Sequence, residues 1–187
     1  MELKIIYFEK PGRENTETVL RIAKQWAGEL GIKTVVIAST RGDTAVRAMD
    51  VLQGLRIIIV THVAGYLAPD TQQFTQENRR TVESQGGIVL TTAHAFGGVS
   101  RAMRQKFNAY AIGDMIADSL RIFGEGMKVV VEIAMMAADG GLVRTDENVI
   151  AIGGTGKGAD TAVVLRPVIS RNFFDLKIKE ILCKPHF

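Results

Sequence analysis

One cysteine, Cys183, stands among 187 residues, so no internal disulfide can staple the chain and its stability must come from a buried core. No run comes near the roughly 18 consecutive apolar residues that a membrane-crossing helix needs. Apolar runs such as Val149 to Ile152 have the length of buried strands instead. Nor does the sequence open with the charged start and apolar core of a secretion signal, and a cytoplasmic location away from any membrane is the expectation. Charge of one sign is also scarce. Lys and Arg number 23 against 20 Asp and Glu, and the small net charge of +3 argues against nucleic acid as a partner. Arg101, Arg104 and Lys106 lie close together, but without interleaved aromatics they read as a solvated helix face. H-E-x-x-H, C-x-x-C and G-x-S-x-G are all missing, so neither a metal site nor that serine nucleophile is expected.

What the chain does have is alternation. Hydrophobic residues make up 47% of it, and a chain of this length buries roughly 70% of its unfolded surface as one domain, here residues 1–187. Leu3 to Phe8 reads as a first strand, followed by a Pro11-Gly12 turn and a helix from Thr16 to Leu30. Val19, Ala23, Trp26 and Leu30 repeat along one face of that helix, and Gly31 supplies its stop. Thr34 to Ser39, Asp43 to Leu52 and Arg56 to Thr61 continue the strand–helix–strand order. Strands without polar alternation, joined by short connections, predict a largely parallel sheet covered on both faces, a three-layer α/β/α fold.

Asp70 with Gln73 reads as a capping box opening a polar helix that Gly86-Gly87 ends before the strand Ile88 to Thr91. Val99 to Phe107 and Ile112 to Phe123 have helical spacing. Met127 to Ala138 opens with three valines but favours a buried helix pairing Lys128 with Glu132. Past Gly140-Gly141, the runs Val149 to Gly153, Thr161 to Leu165 and Leu176 to Leu182 predict a strand-rich C-terminal extension of the same sheet, without an intervening helix. Cys183 on an apolar strand reads as inert, and Met135 and Met136 as core.

Ligands of open parallel sheets lie beyond the carboxyl ends of the strands, so function is sought in those loops. Ser39, Thr40, Arg41, Gly42 and Thr44 could converge on a phosphate through hydroxyls, a guanidinium and the amides of a helix start; the plainer reading is a connection in which Asp43 or Thr44 caps the helix. Gly153, Gly154, Thr155, Gly156, Lys157 and Gly158 form a loop whose backbone can wrap a ligand. It is no Walker loop, because Ala151 stands at the first glycine position and Gly158 follows the lysine. Gly154, Gly156 and Ala159 fit G-x-G-x-x-A, but a strand and not a helix follows, which weakens the dinucleotide fingerprint even with Glu180 about twenty residues on. His62, Gly65 and Tyr66 end the third strand, and His94 and Phe96 end the fourth; they read as ligand contacts more readily than as acid–base groups.

Asn15-Thr16-Glu17-Thr18, the run Val35-Val36-Ile37-Ala38-Ser39-Thr40-Arg41-Gly42-Asp43-Thr44-Ala45, and Ile57-Ile58-Ile59-Val60-Thr61-His62 resemble the C-terminal domain of pyruvate kinase. The whole chain is similar to the small stand-alone proteins described as pyruvate kinase C-terminal domain-like, with Ile152-Gly153-Gly154-Thr155-Gly156 and Ala159-Asp160-Thr161 as their later hallmark. In many pyruvate kinases the loop matching Ser39 to Thr44 holds a phosphate of the allosteric effector. Asp43 departs from that pattern by setting an acid beside the anion. The resemblance implies a phosphate-bearing ligand, flavin mononucleotide (FMN) or a similar nucleotide, with its phosphate near residues 39–44 and 153–161 and its ring flanked by His62, Tyr66, His94 and Phe96. Pyruvate kinase activity is not expected, because nothing in the sequence corresponds to the catalytic barrel. Two readings stay open, a module that binds a phosphorylated small molecule and a flavin-dependent oxidoreductase, so whether the chain is an enzyme is undecided. The apolar helices of the third quarter leave a homo-oligomer open as well.

Overall fold

The structure, a computed structural model, describes residues 4–186. A seven-stranded sheet forms its middle layer. The strands are β1 (Ile6–Phe8), β2 (Thr34–Ala38), β3 (Arg56–Val60), β4 (Ile88–Leu90), β5 (Val149–Gly153), β6 (Thr161–Arg166) and β7 (Lys177–Pro185). Their order is β1-β7-β6-β5-β2-β3-β4. All neighbours run parallel except at β6, which is antiparallel to both β5 and β7. Leu3 of the expected first strand lies outside the described residues.

Helices cover both faces. On one side lie α1 (Thr16–Leu30), α2 (Asp43–Val51) and α3 (Gln76–Ser84), packed on Val35, Ile37, Ile57, Ile59, Ile150 and Ile152. On the other, α6 (Glu125–Asp139) lies on Val36, Ile58, Ala151, Val163 and Leu165, screened by α4 (Gly98–Phe107) and α5 (Ile112–Arg121). Alternate residues of each strand thus feed opposite cores, which is why the strands lack polar alternation. Twelve residues of α6 are buried, so it has the all-round apolar character of an inner helix.

Helix α1 has the bounds that its stripe predicts, and Gly31 ends it at φ 66°, its amide bonded back to Ala27 and Gly28. The expected cap at Asp70 is corrected: α3 begins six residues later, where the Thr75 side chain accepts a hydrogen bond from the Asn78 amide at 3.2 Å. The cause is Phe74, only 1% exposed, which pulls the chain into the core just before the helix. Asp70 sits in the preceding loop with φ 59°, and Gln73 bonds to His62. Between β6 and β7, where no helix was expected, Ser170–Asp175 forms a short 3-10 segment. Cys183 is buried, and burial pushes its thiol up to about 12.

Candidate functional site

Strand direction puts the loops after β2, β3, β4 and β5 on one rim of the sheet. The chain runs from β2 through α2 and α3 to β3 and β4, then returns over the other face through α4, α5 and α6 to β5 on the far side of β2. The direction of winding therefore reverses between β2 and β5. Ligands of open α/β sheets lie at such a switch point, outside the carboxyl ends of its two strands. The two loops flanking it are residues 39–44 and 154–160.

The first of these loops is well braced. Ser39 and Thr44 are buried, and the Ser39 amide donates to Val60 O at 3.0 Å. Gly42 has φ 109°, and a Cβ there would lie 2.4 Å from Asn78 Cβ, so the loop is pressed against the start of α3. The Asn78 side-chain amide and the Thr75 amide both donate to Arg41 O. No side chain caps α2, whose N-cap is Gly42. Thr40 is half-buried and Arg41 is exposed.

The glycine loop does something the sequence did not announce. Asp160, 0% exposed, turns its carboxylate into the loop. Its Oδ2 accepts from the Thr155 amide at 3.0 Å and from the Gly12 amide at 3.1 Å, and Oδ1 accepts from the Thr161 hydroxyl at 2.8 Å. The Ala159 amide donates to Thr16 Oγ1 at 3.0 Å. A Cβ on Gly158, at φ 75°, would meet Arg13 Cα at 2.4 Å, so that glycine is required by the close approach of the α1 entry. Part of the cradle is thus filled by the protein's own carboxylate. What remains is the buried Thr155 Oγ1, which has no hydrogen-bond partner, beside exposed Gly156 and Lys157. Among the described residues, neither Arg41 nor Lys157 has an ion-pair partner.

The aromatic group lies farther along the rim, after β3 and β4. His62 and Tyr66 have ring centroids 4.2 Å apart, His62 and His94 5.2 Å, and Tyr66 and His94 5.6 Å. Arg101 lies over the Tyr66 ring at 4.5 Å. The structure brings these three predicted residues together, packed on one another. Gly65, at φ 79°, turns the exposed loop that carries Tyr66 and is bonded to Thr71 O. Phe96 is set apart: it is buried in the α6 core, 5.7 Å from Phe173.

Burial lowers the pKa of both histidines, that of His94 to about 4. His94 Nε2 accepts from the Val63 amide at 3.3 Å, and His62 Nδ1 lies 3.1 Å from the acceptor Gln73 Oε1. Both rings are therefore held neutral near pH 7. Beneath them, Glu132 accepts from the Phe96 amide at 3.1 Å and is paired with Lys128. Thr61 and Thr91 bridge β3 and β4 through a 2.7 Å hydroxyl contact, joined by Gln72 and Arg79.

Asp160, Thr16, Arg101 and Glu132 are the rim residues that loop chemistry alone did not single out. For Asp160 there was one signal, an acid closing a glycine-rich loop at the start of a strand. Arg101 had none, because only the fold brings α4 over Tyr66.

The family model described as pyruvate kinase, alpha/beta domain, matches residues 17–165. Among solved structures, a pyruvate kinase from Cryptosporidium parvum is 13% identical with a TM-score of 0.43, and the match covers 82% of this chain and 23% of that one. A second crystal structure of Cryptosporidium parvum pyruvate kinase gives 13% identity and a TM-score of 0.41 over 82% and 22% of the two chains. The Cryptosporidium parvum enzyme in complex with ADP gives 14% and 0.37 over 80% and 22%. The chain thus spans less than a quarter of the length of the pyruvate kinase chains it matches.

Proposed function

The chain belongs to the pyruvate kinase alpha/beta-domain family, and from that premise we propose that it binds a phosphate-bearing small molecule in the crevice between β2 and β5. The observation that carries this reading is the switch point itself, with the unpartnered Thr155 hydroxyl on one side and unpaired cations, Arg41 and Lys157, on the rim. A buried hydroxyl without a partner is uncommon in a native fold, and a phosphate oxygen would satisfy it. The two cations would supply charge-assisted hydrogen bonds without a metal. Asp43 and the Asp160 carboxylate work against an anion. Asp160 already accepts from three donors, so exposed Asp43, two residues from Arg41, is the residue expected to limit affinity.

FMN is the ligand to test first. Its phosphate end suits the Thr155, Arg41 and Lys157 side of the crevice. Its ring end would have to part the His62–Tyr66–His94 stack, and Phe96 could act only from behind His94 as part of the core.

The test is the visible spectrum of the purified protein before and after incubation with FMN and desalting. A retained flavin band that is lost in Lys157→Glu and Arg41→Glu supports the reading. If flavin is not retained and FMN, ribose phosphate and inorganic phosphate all leave the melting temperature unmoved, phosphate binding is overturned. If phosphate esters raise the melting temperature but flavin is not retained, the binding site stands and FMN does not.

A further inference from the structure

A cavity lies away from the rim, alongside β7. Its volume is about 500 Å³, within the range of small-molecule sites. Trp26 of α1 forms one wall, Leu120, Phe123 and Met127 form the other, and β7 forms the floor. Among the described residues, β1 pairs with β7 only from Ile6–Cys183 to Phe8–Pro185, and no other described strand lies along Ile178 to Leu182 on that side.

The floor is irregular. Val164 of β6 faces Glu180 and Leu165 faces Ile178, so Lys179 is an extra residue; likewise Ala162 faces Cys183 and Val163 faces Ile181, so Leu182 is another. Two bulges in five residues re-aim the side chains of the segment. Ile178 and Ile181 pack with the α6 core, whereas Leu182 packs with the α1 core. Glu180 shares the face of Val164, which belongs to the α1 core, and so projects a carboxylate among apolar groups on the side of Trp26. Its Oε2 is buried and has no hydrogen-bond partner. Lys4 and Lys179 are exposed at the cavity's edge, and neither forms an ion pair with it.

A cavity with aromatic and aliphatic walls and one buried acceptor lacking a donor has a defined complement. It fits a molecule with an apolar body and a group that donates hydrogen bonds and carries positive charge. We propose that this cavity is a binding site for a small aromatic or aliphatic primary amine, with its ammonium group on Glu180 and its apolar body between Trp26 and Phe123. The site shares no residue with the loops after β2 and β5, and it stands or falls apart from the phosphate reading.

Trp26 is the only tryptophan in the chain, so emission excited at a wavelength that phenyl rings do not absorb reports on this cavity alone. The probes are 2-phenylethylamine, the neutral 2-phenylethanol and the anionic 3-phenylpropionate, titrated into wild-type protein and Glu180→Gln. The expected result is saturable binding of the amine, about tenfold or more tighter than the alcohol and tighter still than the carboxylate, as a charge-assisted bond implies. In Glu180→Gln the advantage of the amine over the alcohol is expected to vanish. No saturable change with the amine, or equal affinity for all three head groups in the wild type, overturns the proposal even if the variant fails to fold. An undiminished preference for the amine in a folded Glu180→Gln protein overturns it as well.

Discussion

Two parts of the strand-end rim bury a carboxylate, and they hold it by different means. On the β5 side, Asp160 is surrounded by the Gly12 and Thr155 amides and the Thr161 hydroxyl, with no cation bonded to it. The first turn of α6 also faces it, because a Cβ on Gly126 would lie 3.0 Å from Asp160 Oδ1; the positive end of a helix favours an anion there. On the β4 side, Glu132 in the middle of that same helix is paired with Lys128 and accepts one amide, that of Phe96. Each carboxylate ties a loop to the body of the protein, the α1 entry in one case and the α4 entry in the other. Oriented dipoles cannot be removed by one compensating substitution, whereas a partner cation can, so the two ties should differ in how they fail.

The largest effect is expected at Glu132. Glu132→Ala would strand the Lys128 ammonium in the core and destabilise the fold by about 3–5 kcal/mol, read from urea unfolding. Lys128→Met combined with Glu132→Leu should recover most of that loss, since an apolar pair of similar volume is often neutral. A double variant as unstable as the single one would instead assign the tie to the Phe96 amide, and the contrast with Asp160 would collapse. Next comes Asp160→Ala, which leaves two amides and a hydroxyl without their acceptor at a cost of about 3 kcal/mol. Here no second substitution at a donor should rescue the protein, because two of the three donors are main-chain groups.

The smallest effect separates the regions by pH. His94, on the Glu132 side, is shifted by burial from 6.5 in the ordinary range to about 4. The unfolded chain then takes up a proton that the folded one refuses, so this stabilisation is complete above about pH 6.5 and is lost as pH falls towards about 4. His62 is lowered too and acts with the same sign. Unfolding free energies at pH 7 and pH 5 should fall less with acid in His94→Gln than in the wild type. An unchanged slope would mean that His94 is not held neutral by its surroundings.

Much of the architecture was legible because local signals agreed with the global fold. The stripe from Val19 to Leu30 and the stop at Gly31 fix α1, and the unbroken apolar runs of β2 and β3 mark strands buried on both faces. The buried Lys128–Glu132 pair followed from spacing alone. The α3 cap was misplaced because the burial of Phe74 is decided by the far side of the core, and no local pattern carries it. At the candidate site, residue types pointed to the strand-end loops but not to who satisfies whom. A glycine-rich loop reads the same whether its amides meet a phosphate or Asp160. Glu180 entered only as an acid spaced like that of a dinucleotide fold; its place beside Trp26 depends on two bulges that hydrophobic periodicity does not reveal.

Among the described residues, strand β1 has β7 as its one strand neighbour, with Ile6 beside Cys183 and Phe8 beside Pro185. During synthesis β1 must therefore wait until β7, which starts at Lys177, has emerged. At roughly 5–20 residues per second that delay is on the order of 10–30 s, long against the microsecond-to-millisecond assembly of local helices. Until then Ile6 and Phe8, and the face of α1 that carries Trp26, lack the strand that completes their packing. Over that interval the pairing edge of β1 in a nascent chain is open to chaperones and proteases.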